Sequence, residues 1–323
     1  MPGMAVDLRQ LGDDSMTNVA LLGLGRMGSR LAGTLLRHGF DTTVWNRTAG
    51  PADRLIEAGA RVETAAARAA RHADAVVLSL SDGGAVRDVL FGGDEPVADQ
   101  LRPDAIVIDT STTGPRLARS IAAELDRRGL CFVEAPLLGS PAAAARGTLT
   151  TLTGGDPEVV ELVLPVIESW TAPGRIVHLG DPGAAAAAKL IVNASVGVAA
   201  EGIGEALRLG QDLGLDRSRL IEALRGGPLG SLIGAKEQML LQEDTGDADL
   251  TVDLFLHDLS LALYESSSAL PAAEAAYLQA RLATSAGRGG HDFIEIALRR
   301  ATNADQRRDA EDLLRQPEGQ LRT

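Results

Sequence analysis

The chain of 323 residues has little cysteine and little lysine. Cys131 is its only cysteine, so the chain forms no internal disulfide and no cysteine-based metal cluster, as is usual in a reducing cytoplasm. Its apolar surroundings favour a buried structural thiol over a nucleophile. Lysine occurs only at Lys189 and Lys236, and all other basic residues are arginine. Each lysine therefore needs a specific explanation.

An excess of positive charge and long apolar runs are also missing. The net charge of −13 would repel a phosphate backbone, which argues against nucleic-acid binding. No apolar run reaches the roughly 18 residues that span a bilayer, and the first residues lack the pattern of a secretory signal. We therefore expect a cytoplasmic protein without membrane association. Residues 1–17 are expected to form a flexible extension, and residues 301–323 a charged tail.

Short apolar runs alternate with helix-like stretches between residues 18 and 180. This alternation is typical of an α/β fold with a doubly wound, mostly parallel sheet. The predicted strands are Val19–Leu22, Thr43–Trp45, Ala75–Leu78, Ala105–Ile108, Cys131–Val133, Leu149–Leu152 and Arg175–Val177.

The strand pattern stops after residue 180, and residues 181–300 are predicted to form an all-α domain. One long helix of roughly 30 residues is expected from Ala184 to about Leu213, with Asp181 and Pro182 as plausible starting residues. Further helices are predicted over Arg217–Leu224, Leu232–Leu241, Thr251–Leu270 and Glu274–Ser285.

A glycine-rich loop directly follows the first predicted strand and opens a helix. Its residues are Gly23, Leu24, Gly25, Arg26, Met27 and Gly28. Gly23 permits a tight turn, Gly25 allows backbone N–H groups to approach a pyrophosphate, and Gly28 allows close packing of helix on strand. The loop predicts a dinucleotide site in residues 18–180, the alternative being a glycine-rich turn without a ligand.

The second strand ends in Asn46, Arg47 and Thr48. An NAD-selective site usually has a carboxylate here, which binds the ribose 2′-hydroxyl, and none is present. Arg47 is able to bind a phosphate with two hydrogen bonds. The segment therefore predicts NADP(H) in preference to NAD(H), unless Arg47 is an ordinary solvated loop residue.

Lys189 stands among small and apolar residues near the start of the long predicted helix. Burial lowers the pKa of a lysine, which then exchanges a proton near neutral pH as arginine does not. Asn193 is one helical turn further on, so the two side chains could bind one substrate oxygen. The alternative is a structural lysine that keeps its ammonium in water.

Five ordered blocks resemble the β-hydroxyacid dehydrogenase family, over roughly residues 18–300. The blocks are Gly23–Gly28, Val44–Thr48, Asp109–Thr112, Glu134–Pro136 with Gly147–Leu149, and Lys189 with Asn193. The resemblance implies a Rossmann domain and an all-α domain built on a long interdomain helix. It also implies a homodimer or homotetramer formed through the helical domains, with a catalytic lysine at Lys189 and its partner at Asn193.

The resemblance further implies that Leu80, Ser81, Asp82, Ser111 and Thr112 line the cofactor site, although serine, aspartate and glycine also favour plain turns. The family's substrate-binding Ser-Gly-Gly reads Leu138, Gly139 and Ser140 here, which fits a less polar substrate. Backbone N–H groups or Ser140 could still hold an anion.

A family lysine of a later helix is replaced by His257, a titratable group that is either functional or a structural hydrogen-bonding residue. Together these features predict hydride transfer between NADP(H) and a small hydroxy acid or carbonyl compound, with Lys189 moving the proton. No metal ion is expected to be required. An imine reductase and a non-catalytic NADP-binding module are the alternatives.

Overall fold

The computed structural model of the protein describes residues 16–48, 50 and 52–298. The predicted tail of residues 301–323 and most of the predicted extension of residues 1–17 lie outside these residues. By its internal contacts the chain divides into two compact units, one ending at Ile191 and the other beginning at Val192. Each unit is described here by itself.

The first unit contains a sheet of six parallel strands in the order β3-β2-β1-β4-β5-β6. This confirms the predicted doubly wound sheet. The short edge strand β3 was not predicted, because its two residues are exposed and form no apolar run. The strands are β1 (Asn18–Leu22), β2 (Asp41–Trp45), β3 (Arg61–Val62), β4 (Ala75–Leu78), β5 (Ile106–Asp109) and β6 (Cys131–Glu134).

Both faces of this sheet are buried. Val19 and Leu21 of β1 belong to one hydrophobic cluster, whereas Ala20 and Leu22 belong to the cluster on the opposite face. Alternate residues of a strand point to opposite faces, which explains why these strands read as continuous apolar runs.

The helices of this unit are α1 (Gly28–Arg37), α2 (Asp53–Glu57), α3 (Ala66–Ala70), α4 (Gly83–Phe91), α5 (Val97–Gln100), α6 (Pro115–Asp126), α7 (Pro141–Ala145) and α8 (Pro157–Glu168).

The last two predicted strands do not belong to the large sheet, and that prediction was wrong. They lie in a separate three-stranded sheet formed by β7 (Leu137–Leu138), β8 (Leu149–Thr153) and β9 (Thr171–His178). β7 and β8 are antiparallel, and only residues 139–148, which include the short helix α7, separate them. A parallel crossover needs a dozen or more residues, so this short connection returns the chain in the opposite direction.

The long helix α9 (Ala184–Asp212) begins in the first unit and continues into the second. It starts at Ala184 rather than at Asp181 or Pro182, because Gly183 adopts a φ of +98° that interrupts the helix before that point. Among the described residues, α9 alone is long and apolar enough by composition to cross a membrane, a test that core helices of soluble proteins also pass.

The second unit is helical, as predicted, and packs around Phe255 and Leu259. The helix predicted over Thr251–Leu270 ends earlier, at Glu265, because Ser266 adopts an extended backbone conformation, and Pro271 begins the next helix. A π-helical turn, Thr284–Arg288, follows that helix. The helices after α9 are α10 (Arg217–Arg225), α11 (Gly230–Gln242), α12 (Val252–Glu265), α13 (Pro271–Ala283) and α14 (Glu295–Leu298).

Candidate cofactor and catalytic site

The glycine loop lies between β1 and α1, where the strand order reverses between β1 and β4. A Cβ on Gly28 would collide with the carbonyl oxygen of Gly23, and Gly23 itself has a φ of +105°. Gly25 is exposed, and a Cβ there would meet nothing within 4 Å. Two glycines are therefore required by the protein's own packing, whereas the third faces open space beside the N-terminus of α1. This geometry fits a pyrophosphate.

Asn46 connects this loop to the end of β2. Its Oδ1 accepts a hydrogen bond from the N–H of Leu24 at 2.9 Å. Its Nδ2 donates to the carbonyl oxygen of Thr48 at 2.9 Å and to the Thr48 hydroxyl at 3.0 Å. Asn46 therefore fixes the loop, and Arg47, between these two residues, is exposed.

A cavity of about 850 Å³ adjoins the glycine loop and contains Gly25 in its wall. Arginines dominate its charged lining, with Asp53 as the acidic member. These arginines are Arg26, Arg30, Arg37 and Arg54. A second cavity, of about 680 Å³, lies between α8 and β9 and contains none of the predicted site residues. The first cavity therefore has the charge to attract an anionic ligand.

The ends of β4 and β5 are joined through Ser111. Its hydroxyl accepts a hydrogen bond from the N–H of Leu80 at 3.0 Å, and its own N–H donates to Asp109 Oδ1 at 2.9 Å. Thr112, the next residue, is half-buried. Burial raises the pKa of Asp109 to about 7, opposed by its hydrogen bonds to Ser111 and assisted by the nearby Glu134.

Ser81 and Asp82 both take part in local turn contacts. The Ser81 hydroxyl donates to Asp82 Oδ2 at 2.7 Å, and Asp82 Oδ1 accepts from the N–H of Ala85 at 2.8 Å, which caps α4. These are the turn contacts named above as the alternative to cofactor binding. A cofactor role for these two residues stays a prediction.

The segment Leu138-Gly139-Ser140 joins β7 to α7. Leu138 pairs with Thr150, and Gly139 has a φ of +133°. The hydroxyl of Ser140 accepts a hydrogen bond from the N–H of Ala143 at 3.2 Å and caps α7. The hydroxyl of this segment therefore already has a structural partner.

Lys189 is half-buried in the second turn of α9. Its Nζ donates a hydrogen bond to the carbonyl oxygen of Leu137 at 2.8 Å. The ammonium group consequently lies against the residue that precedes Leu138, the first residue of the predicted substrate-binding segment.

Asn193 and His257 both belong to the second unit. Asn193 is buried, and its Nδ2 donates to Oδ2 of the buried Asp258 at 2.6 Å. This bond fixes the orientation of the amide. The Nε2 atom of the half-buried His257 is itself buried and has no hydrogen-bond partner among the described residues. Within the second unit, the structure thus brings Asp258 to Asn193, whereas a site role for His257 stays a prediction.

Three buried carboxylates near the predicted residues were given no role from the sequence: Asp109, Glu134 and Asp258. The available signal was their position, because Asp109 and Glu134 each directly end an apolar strand. An acidic residue there is buried at the carboxyl edge of a parallel sheet, where α/β proteins bind ligands. Within the described ranges, no group of three or more His, Cys, Asp or Glu residues could hold a metal ion.

Comparison with known proteins agrees with this geometry. The model of the NAD-binding domain of 6-phosphogluconate dehydrogenase matches residues 18–180. The NAD-binding model of NADP-dependent 3-hydroxyisobutyrate dehydrogenase matches residues 183–298. The chain belongs to the β-hydroxyacid dehydrogenase family. It is a pyridine-nucleotide-dependent oxidoreductase.

Individual relatives differ in the reaction that their names state. An NAD-dependent L-serine dehydrogenase of Pseudomonas aeruginosa is 36% identical over 65% of this chain and 70% of its own length. Mycobacterium tuberculosis 3-hydroxyisobutyrate dehydrogenase with L-serine has a TM-score of 0.78 at 26% identity, over 87% of this chain and 98% of that one. An imine reductase of Myxococcus stipitatus has a TM-score of 0.61 at 22% identity, over 88% of this chain and all of that one, and shares the fold.

Proposed function

We propose that this protein catalyses reversible hydride transfer between NADP(H) and a small hydroxy acid or carbonyl compound, with Lys189 as general acid and base. The observation that carries the proposal is the 2.8 Å hydrogen bond from Lys189 Nζ to the Leu137 carbonyl oxygen. This contact holds an ammonium group beside Leu138, within a family of dinucleotide-dependent enzymes.

The chain's own residues account for the proton and the orientation of the substrate. Bound nicotinamide supplies or takes the hydride. In reduction, the Lys189 ammonium donates a proton to the alkoxide that develops on the substrate, and in oxidation its neutral amine accepts the hydroxyl proton. Asn193 binds the same oxygen, and Asp258 keeps its amide oriented through the 2.6 Å hydrogen bond.

The preference for NADP(H) is supported by charge. No carboxylate stands at the end of β2, where Arg47 is exposed, and four arginines line the adjoining cavity. A guanidinium group binds phosphate with two parallel hydrogen bonds. We further propose a homodimer or homotetramer formed through the helical unit, a cytoplasmic location, and no nucleic-acid or membrane partner.

The catalytic proposal is tested with Lys189→Met and with the matched Lys189→Arg, which keeps the positive charge but does not release a proton near neutral pH. NADPH oxidation is measured with a panel of aldehydes, keto acids and imines. We expect both variants to lose about 100-fold to 10,000-fold in kcat, while the Kd for NADPH changes by less than about twofold. Full turnover by Lys189→Met on the best substrate would refute the role of Lys189.

The cofactor preference is tested with Arg47→Ala. One charge-assisted contact to the 2′-phosphate is worth about 1.5 to 3 kcal/mol, so the KM for NADPH should rise roughly 10-fold to 100-fold. The KM for NADH, which lacks that phosphate, should hardly change. Equal losses for the two cofactors would contradict the assignment.

Imine reduction is a second candidate, favoured by one observation. Leu138 offers no polar group in its side chain where the family has a serine, so the segment presents one donor fewer to a carboxylate than the family's Ser-Gly-Gly. The Ser140 hydroxyl, which accepts the bond that caps α7, still has its own proton to donate. The same substrate panel distinguishes the two reactions. A higher kcat/KM for imines than for every carbonyl compound would favour the imine reductase, and tight NADPH binding without any turnover would favour a binding module.

A further inference from the structure

Glu134, the last residue of β6, binds the N-terminus of α9 from a different part of the chain. Its side chain is 2% exposed, and Oε2 accepts a hydrogen bond from the N–H of Ala185 at 3.2 Å. Burial raises the pKa of this carboxyl group, and the nearby backbone N–H groups of Gly183, Ala185 and Ala186 oppose that shift. The first N–H groups of a helix lack partners within the helix, and a carboxylate there also complements the helix dipole.

The same short segment contacts α9 a second time, one helical turn further on. Leu137, three residues after Glu134, accepts the hydrogen bond from Lys189 Nζ. Ala185 and Lys189 are four residues apart, about one turn or 5.4 Å along the helix axis. Two contacts from one segment therefore fix how far along its axis the start of α9 lies, and with it the position of the ammonium group.

The surroundings of Glu134 leave its carboxylate little freedom. A Cβ on Gly154 would collide with Oε2, and the backbones of Glu134 and Gly154 form a pair of hydrogen bonds of 2.8 Å and 3.1 Å. Burial raises the pKa of Glu134 above its usual value, and Arg119 of α6, which packs against Gly183, weakly opposes that shift. Asp109 is its partner residue on the neighbouring strand β5. Oε2 is therefore confined by its neighbours, whereas the buried Oε1 has no hydrogen-bond partner among the described residues.

We infer that Glu134 is a positioning residue for Lys189: by holding the start of α9 through Ala185, its carboxylate keeps the lysine ammonium in register with the Leu137 carbonyl oxygen. This inference rests on the proposed function, because it assigns a consequence for proton transfer by Lys189. The competing explanation is that Glu134 only stabilises the fold, in which case its loss lowers stability without a selective effect on Lys189.

The test compares Glu134→Gln with the wild-type chain in three measurements. We expect kcat to fall about 10-fold to 100-fold, because a displacement of about 1 Å has effects of this size, while the KM for NADPH stays within about twofold. The kinetic pKa assigned to Lys189 should move down, because the Leu137 carbonyl oxygen, which favours the ammonium form by accepting its hydrogen bond, is no longer held in register with it. Amide hydrogen exchange over residues 184–190 should accelerate, whereas exchange in α1 should not.

A second variant and a matched control complete the design. Gly154→Ala leaves Glu134 in the chain but displaces its carboxylate, so it should give the same changes in kcat, in the kinetic pKa and in amide exchange. It replaces Glu134→Gln if that variant does not fold.

Asp156 caps α8, which carries no predicted site residue, by accepting from the N–H of Glu158 at 2.8 Å. Asp156→Asn should therefore leave kcat, the kinetic pKa and exchange over residues 184–190 within about twofold of wild type.

Two results would overturn the inference. One is wild-type kcat and wild-type exchange over residues 184–190 in both Glu134→Gln and Gly154→Ala. The other is a uniform acceleration of exchange throughout the first unit with no separation of kcat from KM, which is the pattern of general destabilisation. Failure of the proposed function is seen separately, as full turnover by Lys189→Met, and the exchange measurement still reports whether Glu134 fixes the helix.

Discussion

The glycine loop after β1 and the ends of β5 and β6 lie along the same edge of one sheet, but they are held in place by different interactions. The loop is fixed by neutral groups: a close contact of Gly28 on Gly23, and the amide of Asn46 bound to Leu24. The ends of β5 and β6 are fixed by the buried carboxylates Asp109 and Glu134. The position of the glycine loop therefore depends on steric fit and neutral hydrogen bonds. The positions of the ends of β5 and β6 depend on the charge and protonation of two carboxyl groups.

This difference has a physical consequence. Contacts between backbone and neutral amide groups have the same strength at every pH at which the protein is folded, whereas a buried carboxylate changes its hydrogen-bonding capacity when it titrates. We therefore expect substitutions in the glycine loop to change the free energy of unfolding by the same amount at every pH. Substitutions at the ends of β5 and β6 should change it by an amount that depends on pH.

The largest effect is expected from Gly28→Ala. Its Cβ would collide with the Gly23 carbonyl oxygen and lie 3.2 Å from Cβ of Ser79, so the loop must move. We expect a loss of about 1 to 3 kcal/mol in the free energy of unfolding. The Kd for NADPH should rise at least about 100-fold, because several backbone hydrogen bonds to phosphate are misplaced. Urea unfolding and fluorescence titration measure the two effects.

Gly25→Ala is the matched control for Gly28→Ala. No atom lies within 4 Å of its added methyl group, so the free energy of unfolding should change by less than about 1 kcal/mol. NADPH binding should nevertheless weaken, because the methyl group occupies the open approach to the loop. Wild-type affinity in Gly25→Ala would mean that the pyrophosphate does not approach the chain at this point.

The largest effect on stability alone is expected from Asp109→Asn. Burial raises the pKa of Asp109 in the folded protein to about 7 from its usual value of 3.8, so the folded state binds the proton more tightly than the unfolded state. The contribution of this group to stability is therefore fully present below about pH 4 and is lost as the pH rises through about 7. Asparagine does not titrate. As the pH rises from 4 to 8, the free energy of unfolding of the variant should increase relative to that of the wild type by up to about 4 kcal/mol.

Urea unfolding of both proteins across this pH range measures the difference. Glu134 is present in both, so its own titration largely cancels. A difference in the free energy of unfolding that is constant from pH 4 to pH 8 would show that Asp109 titrates with an ordinary pKa and would remove the contrast between the two regions.

What the sequence predicts follows the same contrast. The role of Gly28 can be predicted from the sequence, because its steric requirement is met within one short motif. The strands β1, β4 and β5 can also be predicted, because strands buried on both faces are continuous apolar runs. The capping of α9 by the Glu134 side chain cannot be predicted from the sequence, because Glu134 and Ala185 are 51 residues apart. Likewise, the apolar pattern of β8 identifies a strand but not the sheet to which it belongs, which the short connection through α7 decides.

The smallest effect is expected from Asn46→Ala, and it sharpens the comparison because the amide is neutral. The substitution removes the acceptor for the Leu24 N–H and both hydrogen bonds to Thr48. We expect a loss of about 1 kcal/mol in the free energy of unfolding, equal at pH 5 and pH 8. Thr48→Ala removes only the hydroxyl contact and should cost less. Equal losses in the free energy of unfolding for the two variants would mean that the bonds of Asn46 to the Leu24 N–H and to the Thr48 carbonyl oxygen contribute nothing. The glycine loop would then be held by the packing of its glycines alone.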